Sequence, residues 1–224
     1  MGNRLAIFDC DGTLVDSQAS ICRAMAEAFT IERLTPPDDP AIRRVVGLSL
    51  TQAVAALLPG EAHALHVRLG ETYKRAFQAM RGAGQVDEPL FPGIAETLRA
   101  LDADGWMLGV ATGKSDRGLK HCLEAHGIAH LFVSLQTADR HPSKPHPSMA
   151  LQAMADAGAL PETSVMIGDT SFDIGVAINA GCTAVGVAWG YHTPEELFEE
   201  GAHFVADRPD QLPEILRTAL AAKA

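Results

Sequence analysis

The sequence predicts an α/β fold, a Rossmann-like doubly wound parallel sheet with an all-helical region inserted after its first strand. Three observations predict it. Leu5-Ala6-Ile7-Phe8 is a short continuous apolar run that ends in Asp9-Cys10-Asp11-Gly12-Thr13, the pattern of a buried parallel strand. From about residue 86 onward, short apolar runs alternate with helical stretches of roughly 10 to 15 residues, as right-handed βαβ units require. Between residues 17 and 85 nothing reads as a strand. The chain therefore divides into a core of residues 1–16 and 86–224 and a helical insert of residues 17–85.

Asp16-Ser17 is placed to cap a helix over 18–29, with Ile21, Ala24, Met25, Ala28 and Phe29 along one face. The proline-rich stretch 35–40 breaks it. Short helical pieces follow over 41–46 and 51–58, stopped by Gly47 and by Pro59-Gly60, and a longer helix covers 61–80. In the core, Pro92-Gly93 opens a helix to about residue 104, and 106–111 is a strand ending at Thr112-Gly113-Lys114. Ser115 caps the next helix, which stops at His126-Gly127. Then come a strand over 131–135, a helix over 148–157, a strand over 164–167 ending at Gly168-Asp169, and a helix over 172–180. The chain finishes with a strand over 183–187, a helix over 194–200, a short strand over 203–205 and a last helix from residue 209.

With 224 residues, 47% of them hydrophobic, the chain can bury a sizeable core. Its formal net charge is -10 and it has no long basic run, which argues against a nucleic-acid partner. The charge is uneven: residues 17–86 hold 8 Lys/Arg against 6 Asp/Glu, and the remainder 10 against 22. A locally positive insert beside an acidic body suits a small anionic substrate, and scattered solvated charges would look the same. Cys10, Cys22, Cys122 and Cys182 form no paired motif and read as buried thiols of a reducing compartment. Cys10 should turn away from the two flanking acids. Residues 174–194 lack Asp, Glu, Lys and Arg, but their glycines and the helix stop at Asn179-Ala180-Gly181 rule out a membrane span. The expectation is a soluble, cytoplasmic protein with no membrane partner; a monomer and a homodimer are both compatible with the sequence.

Asp9 and Asp11, spaced i, i+2, can point the same way beyond the first strand's carboxyl end, where open α/β sheets bind ligands. Two carboxylates there repel unless a cation or donor lies between them. The stretch suits a metal or acid–base chemistry, with a simple Asx-type turn at Asp11 as the plainer alternative. Three further strand ends carry polar residues: Thr112-Gly113, the loop of Lys144 stiffened by Pro142, Pro145 and Pro147, and Asp169 with Asp173. Singly these are a strand-to-helix turn, a loop lysine and a helix N-terminal charge pair. In a doubly wound sheet all four lie on one edge and can converge.

Asp9-Cys10-Asp11-Gly12-Thr13-Leu14, Thr112-Gly113, Lys144-Pro145 and Gly168-Asp169-Thr170-Ser171-Phe172-Asp173 together resemble the four motifs of the haloacid dehalogenase superfamily. Asp16-Ser17, Lys144-Pro145-His146-Pro147, Ala180-Gly181 and Trp189-Gly190-Tyr191 further resemble its phosphoglycolate phosphatase-like branch. The resemblance implies a phosphatase in which Asp9 is the nucleophile and Asp11 the acid and base. It also implies Mg²⁺ held by Asp9, Asp169 and the backbone carbonyl of Asp11. Thr112 and Gly113 would hold the phosphoryl group, Lys144 would supply positive charge, and Asp173 would orient Lys144 or a metal-bound water. The insert would be the cap that closes over a small phosphorylated metabolite, with 2-phosphoglycolate as lead substrate. Arg43 or Arg44, just before Gly47, would read a substrate carboxylate or second phosphate, a surface ion pair being the alternative.

Other chemistries of the superfamily fit less well. Dehalogenases lack the second acid, which here is Asp11. Mutases carry a cap histidine ten residues after that acid, where this chain has Ile21. Pyrophosphate and phosphonoacetaldehyde remain as alternative substrates, the latter needing a cap lysine, for which Lys74 is the one available in the insert. A catalytically silent binding module would be expected to have lost one of these groups.

Overall fold

A computed structural model of the chain describes residues 2–221. Six strands, β1 (Asn3–Phe8), β2 (Met107–Thr112), β3 (Phe132–Thr137), β4 (Ala159–Gly168), β5 (Thr183–Val187) and β6 (Phe204–Ala206), form one sheet in the order β3-β2-β1-β4-β5-β6. Every pairing is parallel. The order reverses direction between β1 and β4, which opens a crevice at the carboxyl ends of the central strands. Alternation along β1 sends Ala6 and Phe8 into one layer and Leu5 and Ile7 into the other.

Helices α1 (Gln18–Ile31), α2 (Asp39–Arg43), α3 (Leu50–Leu57) and α4 (His63–Gly82) come between β1 and β2 and bury an apolar cluster of their own, including Met25, Phe29, Ile42, Val54 and Leu69. Helices α5 (Ile94–Ala103), α6 (Asp116–Ala125) and α10 (Leu212–Ala221) cover the Ala6/Phe8 face of the sheet. Helices α7 (Ser148–Ala157), α8 (Ser171–Ala180) and α9 (Pro194–Glu200) cover the Leu5/Ile7 face. Cys10 lies with Ala6 and Phe8 on the side away from the acids, and all four cysteines are buried and outside any disulfide. Among the described residues no helix is long and apolar enough to cross a membrane.

The two segments joining insert to core run side by side. Val15 and Leu90 form an antiparallel bridge, Asp16 N–H donates to Pro89 O at 2.8 Å, and Phe91 N–H donates to Leu14 O at 3.0 Å.

Two local expectations need correction. Ser17 occupies the N-cap position of α1 but makes no capping hydrogen bond; its hydroxyl donates to Asp11 instead. β4 begins at Ala159 rather than near 164, because Asn3 pairs with Ala159 before the register shifts around Leu160-Pro161-Glu162-Thr163. The proline in that stretch disguises the strand's start.

Candidate active site

β1 lies between β2 and β4, so Asp9, Thr112 and Asp169 emerge from three neighbouring strands at the same edge. Asp9 N–H donates to Ile167 O at 2.9 Å, which carries the sheet register into the site. Lys144 arrives from the loop before α7 with its side chain fully buried. Its Nζ lies 2.8 Å from Asp9 Oδ1 and 2.6 Å from Asp173 Oδ1. Carboxylate oxygens of Asp9, Asp169 and Asp173 all fall within 4.8 Å of one another.

These acids are held differently. Asp169 accepts from Thr13 Oγ1 at 2.8 Å and from Tyr191 N–H at 2.9 Å. Asp173 accepts from Lys144, and its Oδ2 takes the Thr170 N–H at 3.1 Å and the Thr170 hydroxyl at 2.7 Å, closing a capping box on α8. Asp9 is different: although Lys144 stands beside it as an ion pair, both of its buried oxygens lack a partner in hydrogen-bond geometry. Burial pushes the Asp9 carboxyl up to about 7 against the pull of Lys144, with Asp173 adding repulsion. Burial, then Asp173 and Asp9, drive Asp169 well above the ordinary carboxylate range. Burial would lower the Lys144 ammonium, but Asp173 and Asp9 hold it above its ordinary value.

Three carboxylates share one ammonium in a site closed to solvent. Uncompensated negative charge on oxygen donors fits a hard divalent cation, and the bare oxygens of Asp9 are where it would be met.

Asp11 is not in this cluster. Its Oδ1 takes Lys114 Nζ at 2.6 Å and the Ser17 hydroxyl, while its Oδ2 has no partner among the described residues. Lys114 also pairs with Glu88 at 2.8 Å, and Glu88 with Arg81 of α4 at 2.6 Å. Sequence reasoning missed Lys114 and Glu88. Lys114 directly follows Thr112-Gly113, but no spacing links it to a glutamate that comes close only through the returning linker.

Thr112 is buried and its hydroxyl accepts from Lys114 N–H at 3.2 Å. Gly113 is required by the insert: a Cβ there would stand 2.6 Å from Leu48 O and 2.9 Å from Gly47 O. That same turn, with Gly47 at φ 98°, places Ser49 N–H 2.8 Å from Ser143 Oγ. The loop 47–49 thus rests on the core beside two of the site's strand ends. Arg43 and Arg44, expected to face the site, do not line the cavity. Arg44 is exposed and pairs with Glu196 of α9, and Arg43 lies beside Cys22 and Asp39 within the insert. α2 ends at Arg43, and the turn after it directs Val45 and Val46 to the cavity instead.

Insert and core enclose a cavity of about 980 Å³ reached by Asp9, Asp11, Thr112, Gly113 and Lys114. Residues 6–187 match the model of the haloacid dehalogenase-like hydrolases. The chain belongs to that family. It is 38% identical over 195 residues to the probable phosphatase IndB of Dickeya dadantii (strain 3937), covering 86% of this chain and 84% of that protein. It is 29% identical over 222 residues to a phosphoglycolate phosphatase of Vibrio vulnificus (strain YJ016), covering 95% and 96% of the two chains. Among solved structures it resembles a protein described as a predicted phosphatase from Clostridium acetobutylicum, with TM-score 0.86, 25% identity and coverage of 97% and 100%. A predicted phosphoglycolate phosphatase from Haemophilus somnus 129pt gives TM-score 0.79, 28% identity and coverage of 95% and 97%. This member of the family is a phosphoric monoester hydrolase by its relatives.

Proposed function

We propose that the chain is an Mg²⁺-dependent phosphatase that hydrolyses a small phosphomonoester through an aspartyl-phosphate on Asp9. The observation that carries this reading is Asp9 itself: buried in the acid cluster, with the Lys144 ammonium as the one cation beside its oxygens among the described residues. Asp9, Asp169 and the backbone carbonyl of Asp11 would hold Mg²⁺, which supplies neutralisation of the charge between carboxylate and phosphoryl oxygens.

Asp9 attacks phosphorus, a P–O bond forms to its carboxylate and the ester P–O bond breaks. Asp11 gives its proton to the departing alkoxide through Oδ2, the oxygen that Lys114 and Ser17 leave free. A water then attacks the phosphorus of the aspartyl-phosphate, Asp11 takes its proton, and the P–O bond to Asp9 breaks. Lys144 holds Asp9 and a phosphoryl oxygen, with Asp173 fixing the ammonium. The Thr112 hydroxyl and the Gly113 N–H hold the remaining oxygens. Phosphoryl transfer is mostly positioning and electrostatics, so these groups suffice.

2-Phosphoglycolate, the substrate brought forward by the resemblance and by the names of several relatives, is the first compound to assay. Ile21, where mutases carry a histidine, lines the cavity and offers no proton relay for isomerisation. Phosphate release from p-nitrophenyl phosphate should require Mg²⁺, and Asp9→Asn should lower it by more than ~10³-fold. Full activity in Asp9→Asn would sink the proposal.

A further inference from the structure

Beyond Asp11 the cavity is lined by aromatic and aliphatic side chains among residues held in ion pairs. Phe77 of α4 has its ring centre 6.0 Å from Lys114 Nζ, which itself contacts Asp11 Oδ1 at 2.6 Å. Phe77 and Asp11 line the same cavity, so a departing alcohol has the Phe77 ring within the space it enters. Tyr73 stands one turn earlier with its ring 5.8 Å from that of Phe77, and Ile21, Met25, Val45 and Leu50 line the same space.

The positive charges near this half are already matched. Lys114 and Arg81 answer Asp11 and Glu88, two cations to two carboxylates at 2.6 to 2.8 Å. Lys74 pairs with Glu71 at 2.8 Å, and both nitrogens of His141 are engaged, by Ser148 and Gln136. Arg43 and Arg44 lie outside. The positive balance of the insert is thus spent on its own surface and on the linker. Arg117 and His121, both exposed on α6, are the basic lining residues without a partner among the described residues. Deep in the cavity a carboxylate on the leaving group would face Asp11, with the cations there already paired and the unpaired Arg117 and His121 exposed on α6, which is costly. A flat or apolar group would instead bury surface against two rings.

We propose that the preferred substrates are phosphomonoesters whose leaving alcohol is uncharged and lays an apolar or aromatic face on Phe77 and Tyr73, rather than phosphate esters of a hydroxy acid. This rests on the phosphatase reading above and narrows its substrate class. A cavity of about 980 Å³ also far exceeds what glycolate fills.

The test compares benzyl phosphate, ethyl phosphate and 2-phosphoglycolate with the Mg²⁺-loaded enzyme. All three release a primary alcohol, so they differ mainly in face and charge. Benzyl phosphate should exceed each of the others by about tenfold in kcat/KM, and in Phe77→Ala the benzyl-to-ethyl ratio should fall towards one. Should Phe77→Ala not fold, calorimetry on the unaltered protein decides: benzylphosphonate should bind about tenfold tighter than phosphonoacetate. Equal or better use of 2-phosphoglycolate would overturn the inference, as would tighter binding of phosphonoacetate. A selective loss of 2-phosphoglycolate turnover in Arg117→Ala/His121→Ala would overturn it too, by showing that the mouth reads a carboxylate. No turnover of any ester, p-nitrophenyl phosphate included, would defeat the phosphatase reading instead, while the calorimetric comparison would still report the preference.

Discussion

Lys114 is the residue on which the acid side of the site turns. Its side chain is 9% exposed and joins Asp11 and Glu88, which are 10% and 8% exposed. Burial opposes its charge, yet Asp11, Cys10 and Glu88 hold the ammonium well above its ordinary value. Lys114→Met would leave buried Asp11 without its cation while Glu88 keeps Arg81, and should cost about 3 kcal/mol of stability in urea unfolding, with Lys114→Arg costing less. It should also lower turnover of alkyl phosphates more than that of p-nitrophenyl phosphate, whose leaving group needs no proton from Asp11. At this scale the sequence was readable where chemistry is written locally. Asp9, Lys144, Asp169 and Asp173 meet because each ends or follows a strand of one parallel sheet. Lys114 with Glu88 was not readable, since their meeting depends on where the linker returns. Arg43 and Arg44 lie outside the cavity, Arg44 in the surface ion pair that was the alternative, because one turn of backbone after α2 decides which side chains face inward.

Among the elements, the loop between α2 and α3 matters most to the site. Its Gly47 and Leu48 carbonyls press against Gly113, and Ser49 reaches Ser143. Gly113→Ala should displace this loop and lower kcat/KM about tenfold, the kinetic equivalent of a modest overpacking strain, while far-UV circular dichroism stays unchanged. Elements with strong end signals were legible in the sequence. α7, β5 and α9 occupy the expected residues, closed by Gly158, framed by Gly181 and opened by Thr193-Pro194. The start of β4 is hidden in the sequence because Pro161 sits among residues that look like a turn, although Ala159 already pairs with Asn3 of β1. Such pairing is a property of the sheet and leaves no mark in the local sequence.

For the whole molecule, the buried acids couple folding to pH and to metal. Burial raises Asp9 from 3.8 to about 7, and burial with the repulsion of Asp173 and Asp9 raises Asp169 well above the ordinary carboxylate range. A carboxyl raised on folding favours the protonated native state, so its contribution is complete below the unfolded value and is lost as pH rises through the folded one. The metal-free protein should therefore lose on the order of a few kcal/mol between about pH 4 and pH 7 from Asp9, with Asp169 adding a loss of the same sign. Mg²⁺ should reverse it, adding about 2.7 kcal/mol at a hundred times its Kd. Melting temperatures in EDTA and in Mg²⁺ across this range check both signs, and a Tm in EDTA that rises towards neutral pH would contradict the first.

The paired crossing at Val15 and Leu90 has a consequence for how such chains diversify. Because the outgoing and returning strands are stitched together, the sheet feels everything from Asp16 to Pro89 as a single bulge on one short ribbon. A different set of helices, long or short, could be grafted on the same two ends without moving Asp9 or Asp169. Recognition can then evolve as an exchangeable part above chemistry that stays where it is.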